Sequence, residues 1–210
     1  MQQLNSPEVE RRAAVMAWRR EERQRQIEAR LAAPVEQRQQ ASLQIAERLD
    51  RHCRQQGLLA PGAIVSGYWP LRGEPDLRAW LARLHAEGFT CVLPVVVEKG
   101  APLVFRRWSP GCAMEKGFWN IPVPAAPAEY TPAVLLAPVV AFDRQCYRLG
   151  YGGGYFDRTL ARLHSQRSPY HAVGVGYAAA QIDSVRALPH DIPLQAVVTE
   201  RELVLPGGMA

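Results

Sequence analysis

Residues 148–158, Arg-Leu-Gly-Tyr-Gly-Gly-Gly-Tyr-Phe-Asp-Arg, put four glycines into five consecutive positions just ahead of an amphipathic segment. Such a run has to be a tight connection, because glycine takes positive φ at little steric cost and leaves no Cβ to block what approaches the backbone. Phe156, Leu160 and Leu163 recur behind it at helical spacing, and the apolar stretch Ala133 to Phe142 ahead of it has the character of a buried strand. Strand, glycine loop and helix in that order predict an α/β fold whose loop turns successive N–H groups toward one anion at the positive end of a helix dipole. Gly150, Gly152, Gly153 and Gly154 are the phosphate candidates, and Asp157 in the first helical turn is placed to hold Mg2+ against the same phosphates. A close-packed turn without a ligand is the alternative for any isolated glycine run. Neither the G-x-x-x-x-G-K-[ST] loop of P-loop enzymes nor the dinucleotide fingerprint with its later acidic residue fits these positions.

The rest of the chain supports the same fold class. A charged helix runs from about Pro7 to Leu31. A second starts near Val35, carries Ser42, Ile45, Ala46, Leu49 and Cys53 on one face, and stops at Gly57. Then strands alternate with helices: Ala63 to Tyr68, an Asp76-capped helix with Leu77, Leu81 and Leu84 ending at Gly88, and Thr90 to Val97. Glu98-Lys99-Gly100 turns into an edge strand, Leu103 to Trp108, and the proline-rich stretch Ser109 to Pro132 reads as an ordered loop. Strands at Ala172 to Tyr177 and Ala196 to Thr199 complete the pattern. The expectation is one α/β domain over 1–210, with an N-terminal helical pair (7–57) packed on an α/β core (62–205). Its sheet is mostly parallel with helices on both faces, the glycine loop joins a central strand to a helix, and ligands sit outside the carboxyl ends of the strands.

Charge and cysteines narrow the function classes. The net charge of +5 comes almost wholly from arginine, only Lys99 and Lys116 being lysines, and glutamates interrupt the arginines. That pattern is not the single-sign stripe of a nucleic-acid binder, whereas guanidinium forks suit phosphates and carboxylates of small ligands. Arg19 and Arg23 lie one helical turn apart, so they share a side that either meets phosphates or is simply solvated. Cys53, Cys91, Cys112 and Cys146 lack zinc spacing. No apolar run reaches the ~18–20 residues of a membrane span, and no secretory h-region opens the chain, while Glu8, Glu10, Glu21 and Glu22 disfavour a transit peptide. A cytoplasmic protein is expected. There is no G-x-S-x-G elbow, H-E-x-x-H or evident Cys–His pair, so chemistry by a protein nucleophile has no support.

The string from Arg148 to Arg158 resembles the signature of the 5-formyltetrahydrofolate cyclo-ligase (methenyltetrahydrofolate synthetase) family. Further segments are similar in the family's order: Arg19 to Arg23, Tyr68-Trp69-Pro70 through Glu74-Pro75-Asp76, Leu93-Pro94, Phe118 to Pro122, Leu188 to Asp191 and Val197 to Glu200. The resemblance implies ATP and Mg2+ as cofactors and 5-formyltetrahydrofolate as substrate, without nucleic acid or membrane, in a monomer. It implies that Arg19, Arg23, Arg148, Gly150, Tyr151, Gly152, Gly153, Gly154, Tyr155 and Phe156 hold the nucleotide. It implies that Trp69, Glu74 and residues Tyr151 to Tyr155 hold the folate, with Arg148 and Tyr155 at the reacting centre and Asp157 and Asp191 on the metal. The implied reaction is ATP-dependent closure to 5,10-methenyltetrahydrofolate. A noncatalytic nucleotide- or folate-binding regulator, and a basic nucleic-acid-binding protein, are the alternatives. The chain departs from the family's usual residues at Arg19 (lysine), Leu77 (threonine), Val123 (glutamate), Phe156 (tyrosine) and Gln195 (aspartate).

Overall fold

The computed structural model describes residues 6–207. The chain runs α1 (Ser6–Ala32), α2 (Val35–Gln55), β1 (Ile64–Ser66), α3 (Arg78–Ala86), β2 (Thr90–Val95), β3 (Val104–Arg107), β4 (Met114–Lys116), β5 (Pro122–Pro124), β6 (Val134–Pro138), β7 (Ala141–Phe142), β8 (Arg148–Leu149), α4 (Tyr155–Ser165), β9 (His171–Val175), β10 (Ala196–Val198) and β11 (Leu203–Val204). Seven strands form a mixed sheet in the order β11-β10-β9-β6-β1-β2-β3. The five central strands are parallel, and β3 and β11 run antiparallel at the edges. Central parallel strands are buried on both faces, which is why they read as unbroken apolar runs.

Helices cover both faces. Ile45, Leu49 and Cys53 of α2 join Trp80, Leu81 and Leu84 of α3 against Val65, Leu136 and Val173. On the opposite face, Leu160 and Leu163 of α4 pack with Leu135, Ala172 and Val197. Gly57 and Gly88 terminate α2 and α3 at φ of +66° and +94°, the left-handed region in which glycine closes helices. An Asp76 carboxylate oxygen accepts the Arg78 N–H at 3.0 Å, so the expected cap at the start of α3 forms one residue outside the helix's flanking Leu77.

Three segments differ from the sequence expectation. The apolar run 133–142 is two strands: β6 leaves the sheet after Pro138, and β7 pairs with β8 in a separate ribbon. The glycine loop therefore follows that ribbon instead of the central strand, because a continuous apolar run carries no mark of where the chain turns out of a sheet. Asp143 fixes the ribbon's turn, its carboxylate accepting N–H groups of Gln145, Tyr147 and Val185 at 3.1 Å each. The stretch 109–132 contains the β4–β5 ribbon and a 3-10 turn at Phe118–Asn120, and β11 adds an edge strand after Thr199. Among the described residues no helix is long and apolar enough to cross a membrane.

Strand order marks where such a fold offers room for a ligand. The chain steps from β1 to β2 on one side and later to β6 on the other, so the order reverses between β1 and β6. Ligands in doubly wound sheets sit beyond the carboxyl ends of strands at such a switch point. Residues 67–77 emerge from β1 there, and the ribbon with its glycine loop emerges from β6.

Candidate active site

The glycine loop's carbonyls and amides are treated differently by the protein. Arg23 Nε donates to the Gly150 carbonyl at 2.7 Å, and Arg158 Nη2 donates to the Gly153 carbonyl at 2.6 Å. The N–H groups of residues 150–154 donate to no acceptor among the described residues. Gly154, at φ 64° and ψ 17°, is the left-handed residue from which α4 begins, and no side chain caps that end. The first-turn N–H groups of α4 are consequently open as well. Gly153 lies against the Tyr155 ring, where an added Cβ would come to 2.7 Å of a ring carbon.

Four arginines surround this loop against two carboxylates. Arg19 is 4% exposed and donates to the Val185 and Arg186 carbonyls and to Asp191 at 2.5 Å. Arg148 leaves β8 to pair with Asp157 at 3.1 Å and donate to the Ile192 carbonyl at 3.3 Å. Arg23 and Arg158 have no carboxylate partner among the described residues, so the loop's surroundings keep positive charge. Burial, and then the charge of Arg19, lowers the Arg23 pKa, with Asp191 opposing. Burial likewise lowers that of Arg148 against the pull of Asp157. Each shift measures how poorly water compensates these cations, and an anion at the loop would reverse it.

The metal candidates occupy different surroundings. Asp157 has Oδ1 engaged by Arg148 and by the Ile192 N–H at 3.3 Å, while no described hydrogen bond uses Oδ2. Asp191 has both oxygens within reach of Arg19 and accepts the Leu188 N–H at 2.6 Å. Burial alone would raise the Asp191 pKa, but Arg19 and the Leu188 N–H outweigh it and the net direction is down. Among the described residues no three His, Cys, Asp or Glu side chains gather as a metal site.

A cleft of about 790 Å3 opens on the far side of the Leu71–Glu74 turn that Tyr151 touches, walled by Trp69, Trp108, Met114 and the α2 residue Leu43, with Glu74 and Tyr177 at its polar part and no glycine-loop residue in its lining. Glu74 is 6% exposed. Its Oε2 accepts the Leu71 N–H at 2.8 Å, whereas Oε1 is buried without a hydrogen-bond partner. Burial raises the Glu74 pKa above the usual carboxylate value despite that N–H, the Tyr151 hydroxyl and the charge of Arg30. Trp69 is part core and part cleft wall, with the Arg78 guanidinium 4.9 Å from its ring centre.

The structure thus brings Arg19, Arg23, Arg148, the glycines, Tyr155, Phe156, Asp157 and Asp191 together around one loop, and Trp69 with Glu74 beside the adjoining cleft. Tyr151 joins the two groups, since its hydroxyl lies 3.5 Å from the Leu71 carbonyl. Sequence reasoning overlooked Arg30, Arg158 and Trp119. Arg30 continues the Arg19–Arg23 side of α1 at a seven-residue step, and Arg158 stands inside the motif, so both were signalled. Trp119 lies in the Phe118 to Pro122 segment that is similar to the family's, but its place beside Tyr155 was not signalled: it sits at φ 55° in the 3-10 turn, 62% exposed, edge-on to Tyr155 with ring centres 5.7 Å apart.

A model of the 5-formyltetrahydrofolate cyclo-ligase family matches residues 15–200. The chain belongs to this family. A 5-formyltetrahydrofolate cyclo-ligase of Mycolicibacterium smegmatis is 34% identical over 153 residues, which span 69% of this chain and 77% of the relative. The solution structure of Aquifex aeolicus 5,10-methenyltetrahydrofolate synthetase superposes with a TM-score of 0.74 at 26% identity, covering 91% of this chain and 94% of that one. The Mycoplasma pneumoniae 5,10-methenyltetrahydrofolate synthetase shares the fold at a TM-score of 0.67 and 19% identity, covering 87% and 98%. Three of the residues that depart from the family's usual pattern have structural roles. Leu77 is core, Val123 packs with Val95 and Val104, and Gln195 accepts the Ala172 N–H at 2.7 Å near the strands' amino ends.

Proposed function

We propose that this protein catalyses the ATP-dependent closure of 5-formyltetrahydrofolate to 5,10-methenyltetrahydrofolate, releasing ADP and phosphate. The observation that carries the reading is the glycine loop, whose N–H groups are open while its carbonyls are held by arginines with net positive charge around them. A nucleotide's phosphates meet the amides of residues 150–154 and the free edge of Arg23, and Arg19 and Arg148 add charge from behind. The pterin enters the neighbouring cleft against Trp69, and Glu74, which lines that cleft, accepts from its amino-pyrimidine edge once the carboxylate turns its buried, unpartnered Oε1 toward the ligand. Tyr151 and Tyr155 stand between the two ligands, and Phe156 backs Arg148, its ring centre 5.6 Å from the guanidinium.

The substrate supplies both nucleophiles. Its formyl oxygen attacks the γ-phosphorus, the bond to the bridging oxygen breaks, and ADP departs. N10 then attacks the activated carbon and loses its proton, and phosphate leaves with the former formyl oxygen. The protein's residues align donor and acceptor and neutralise charge on the transferring group, as in phosphoryl transfer generally. Asp157 fits a Mg2+ shared with the phosphates, because Oδ2 is available and such ions take only one or two protein carboxylates. Asp191 fits only by sharing oxygens already turned to Arg19. When bound, Mg2+ would spread the phosphates' negative charge.

An absorbance assay for the methenyl product, run with and without MgATP while ADP is measured, tests this reading. Product and ADP should appear together and only with MgATP. Binding of both ligands without ADP formation would make the protein a noncatalytic regulator.

A further inference from the structure

We propose that Tyr151 couples the two halves of the site, so that a nucleotide on the glycine loop tightens folate binding at Glu74 and the reverse, with Arg30 as the positioning residue that holds Tyr151. The inference rests on the nucleotide and folate reading above. Tyr151 is the one non-glycine residue among positions 150–154, so its side chain is all that the loop can extend toward a neighbour. It extends it to the Leu71–Glu74 turn. The hydroxyl accepts a hydrogen bond from Arg30 Nη2 at 2.8 Å and points at the Leu71 carbonyl 3.5 Å away. Arg30 Nε donates to the next carbonyl, that of Arg72, at 3.0 Å. One phenol and one guanidinium therefore grip two successive carbonyls of the turn, whose Leu71 N–H in turn holds Glu74 Oε2.

The turn is closed by its own Glu74 N–H on the Leu71 carbonyl at 3.0 Å and held by the Tyr177 hydroxyl, which donates to the Gly73 carbonyl at 3.0 Å; Tyr151 and Arg30 add the contacts that tie it to the glycine loop. Arg72 is held at φ 47°, in the left-handed region that residues with a Cβ avoid, followed by Gly73 at φ 75°. The same backbone path buries Glu74 with Oε1 unpartnered, so both the conformation and the carboxylate would relax outward if released. On the loop side, Gly152 at φ 94° and Gly154 at φ 64° follow Tyr151 in the left-handed region. Tyr151 is 42% exposed, so hydrogen bonds more than core packing set its place. Phosphates that draw the amides of residues 150–154 to one anion must fix the peptide planes on either side of Tyr151. A fixed Tyr151 removes one remaining freedom of the turn that carries Glu74, and the second ligand then meets a smaller ordering cost.

A tyrosine that merely walls the cleft would alter folate affinity by the same factor with or without nucleotide. A coupling tyrosine alters the ratio of the two affinities. The test is calorimetric titration of 5-formyltetrahydrofolate in the presence and absence of a nonhydrolysable ATP analogue with Mg2+, on the full-length protein and on Tyr151→Phe, Arg30→Gln and the double variant. The wild type should bind folate about fivefold or more tighter with the analogue present. The ratio should fall below about twofold in each single variant, with no further fall in the double variant, because the two side chains act through one contact. A wild-type ratio near one, or a ratio preserved in both variants, overturns the proposal. Failure of the wild type to bind either ligand alone would instead overturn the nucleotide–folate reading on which the proposal stands.

Discussion

Replacing Glu74 by glutamine separates recognition of folate from recognition of nucleotide. The glutamine carbonyl can keep the 2.8 Å bond from the Leu71 N–H, while its amide group stands where the unpartnered Oε1 was and cannot accept. What is lost on binding is one hydrogen bond to a charged acceptor, worth about 1.5–3 kcal/mol net, or roughly 10- to 150-fold in folate affinity. The free protein should not suffer, because the substitution removes a buried charge that burial already disfavours. The pH dependence follows from the same shift. A carboxyl group whose folded pKa lies above its unfolded value loses stabilisation as pH rises through the folded value, so ionised Glu74 costs the free protein stability at neutral pH. Calorimetry should give Glu74→Gln a folate affinity reduced 10-fold or more, ATP-analogue affinity within about twofold of wild type, and a Tm no lower. Wild-type folate affinity should also fall as pH drops through the raised Glu74 pKa, and the variant's should lack that component. Folate affinity within about threefold of wild type, or an equal loss of nucleotide affinity, would refute the assignment of Oε1 to the pterin.

Three further outcomes follow from the same geometry. Arg23→Ala removes a guanidinium that holds the Gly150 carbonyl and has no carboxylate partner among the described residues, and should weaken ATP-analogue binding about tenfold or more while leaving folate affinity alone, measured without nucleotide, nearly unchanged. Asp191→Asn removes the charge that offsets Arg19, which is 4% exposed but keeps its Val185 and Arg186 carbonyl acceptors, and should lower the urea-unfolding free energy by about 1–3 kcal/mol even without magnesium; a defect seen only as a raised Mg2+ requirement would make Asp191 a metal ligand instead. His52 and His171 face each other with Nε2 atoms 3.3 Å apart, and burial lowers both pKa values from 6.5, the charge of His52 adding to the effect on His171. The unfolded chain then binds more protons, so stability should be lost as pH falls below about 6.5 toward the pair's own lower values. Thermal unfolding between pH 7.5 and 5 should show this slope reduced in His171→Gln; an unchanged slope would exclude the pair as its source.

The parts of the molecule legible in the sequence are those where residue type is itself the mechanism. The glycine run identified the loop because missing Cβ atoms, and positive φ at Gly152 and Gly154, are what so tight a connection requires. The faces of α2 and α4 were legible because burial imposes helical period, and Gly57 and Gly88 because left-handed closure calls for glycine. The β7–β8 ribbon stayed hidden because two-residue strands inside one apolar run have no period of their own. The β4–β5 ribbon stayed hidden behind Pro122 and Pro124, which sit in a two-stranded piece where a missing N–H is tolerated at outward-facing positions. Arg19 was legible as a cation beside the site, but its engagement with Asp191 across 172 residues was not, and that pairing is what makes Asp191 a poorer metal candidate than Asp157. The lone Glu74 oxygen, which carries the folate half of the proposal, exists only once the turn at Arg72 and Gly73 has buried it.

The route of one oxygen atom tests the central chemical claim most directly. With 5-formyltetrahydrofolate carrying 18O in its formyl group, turnover with MgATP should place the label in inorganic phosphate, one labelled phosphate for each methenyl product. Unlabelled phosphate with the label released to water would mean that ATP never takes the formyl oxygen, and the proposed alignment of loop and cleft would be wrong.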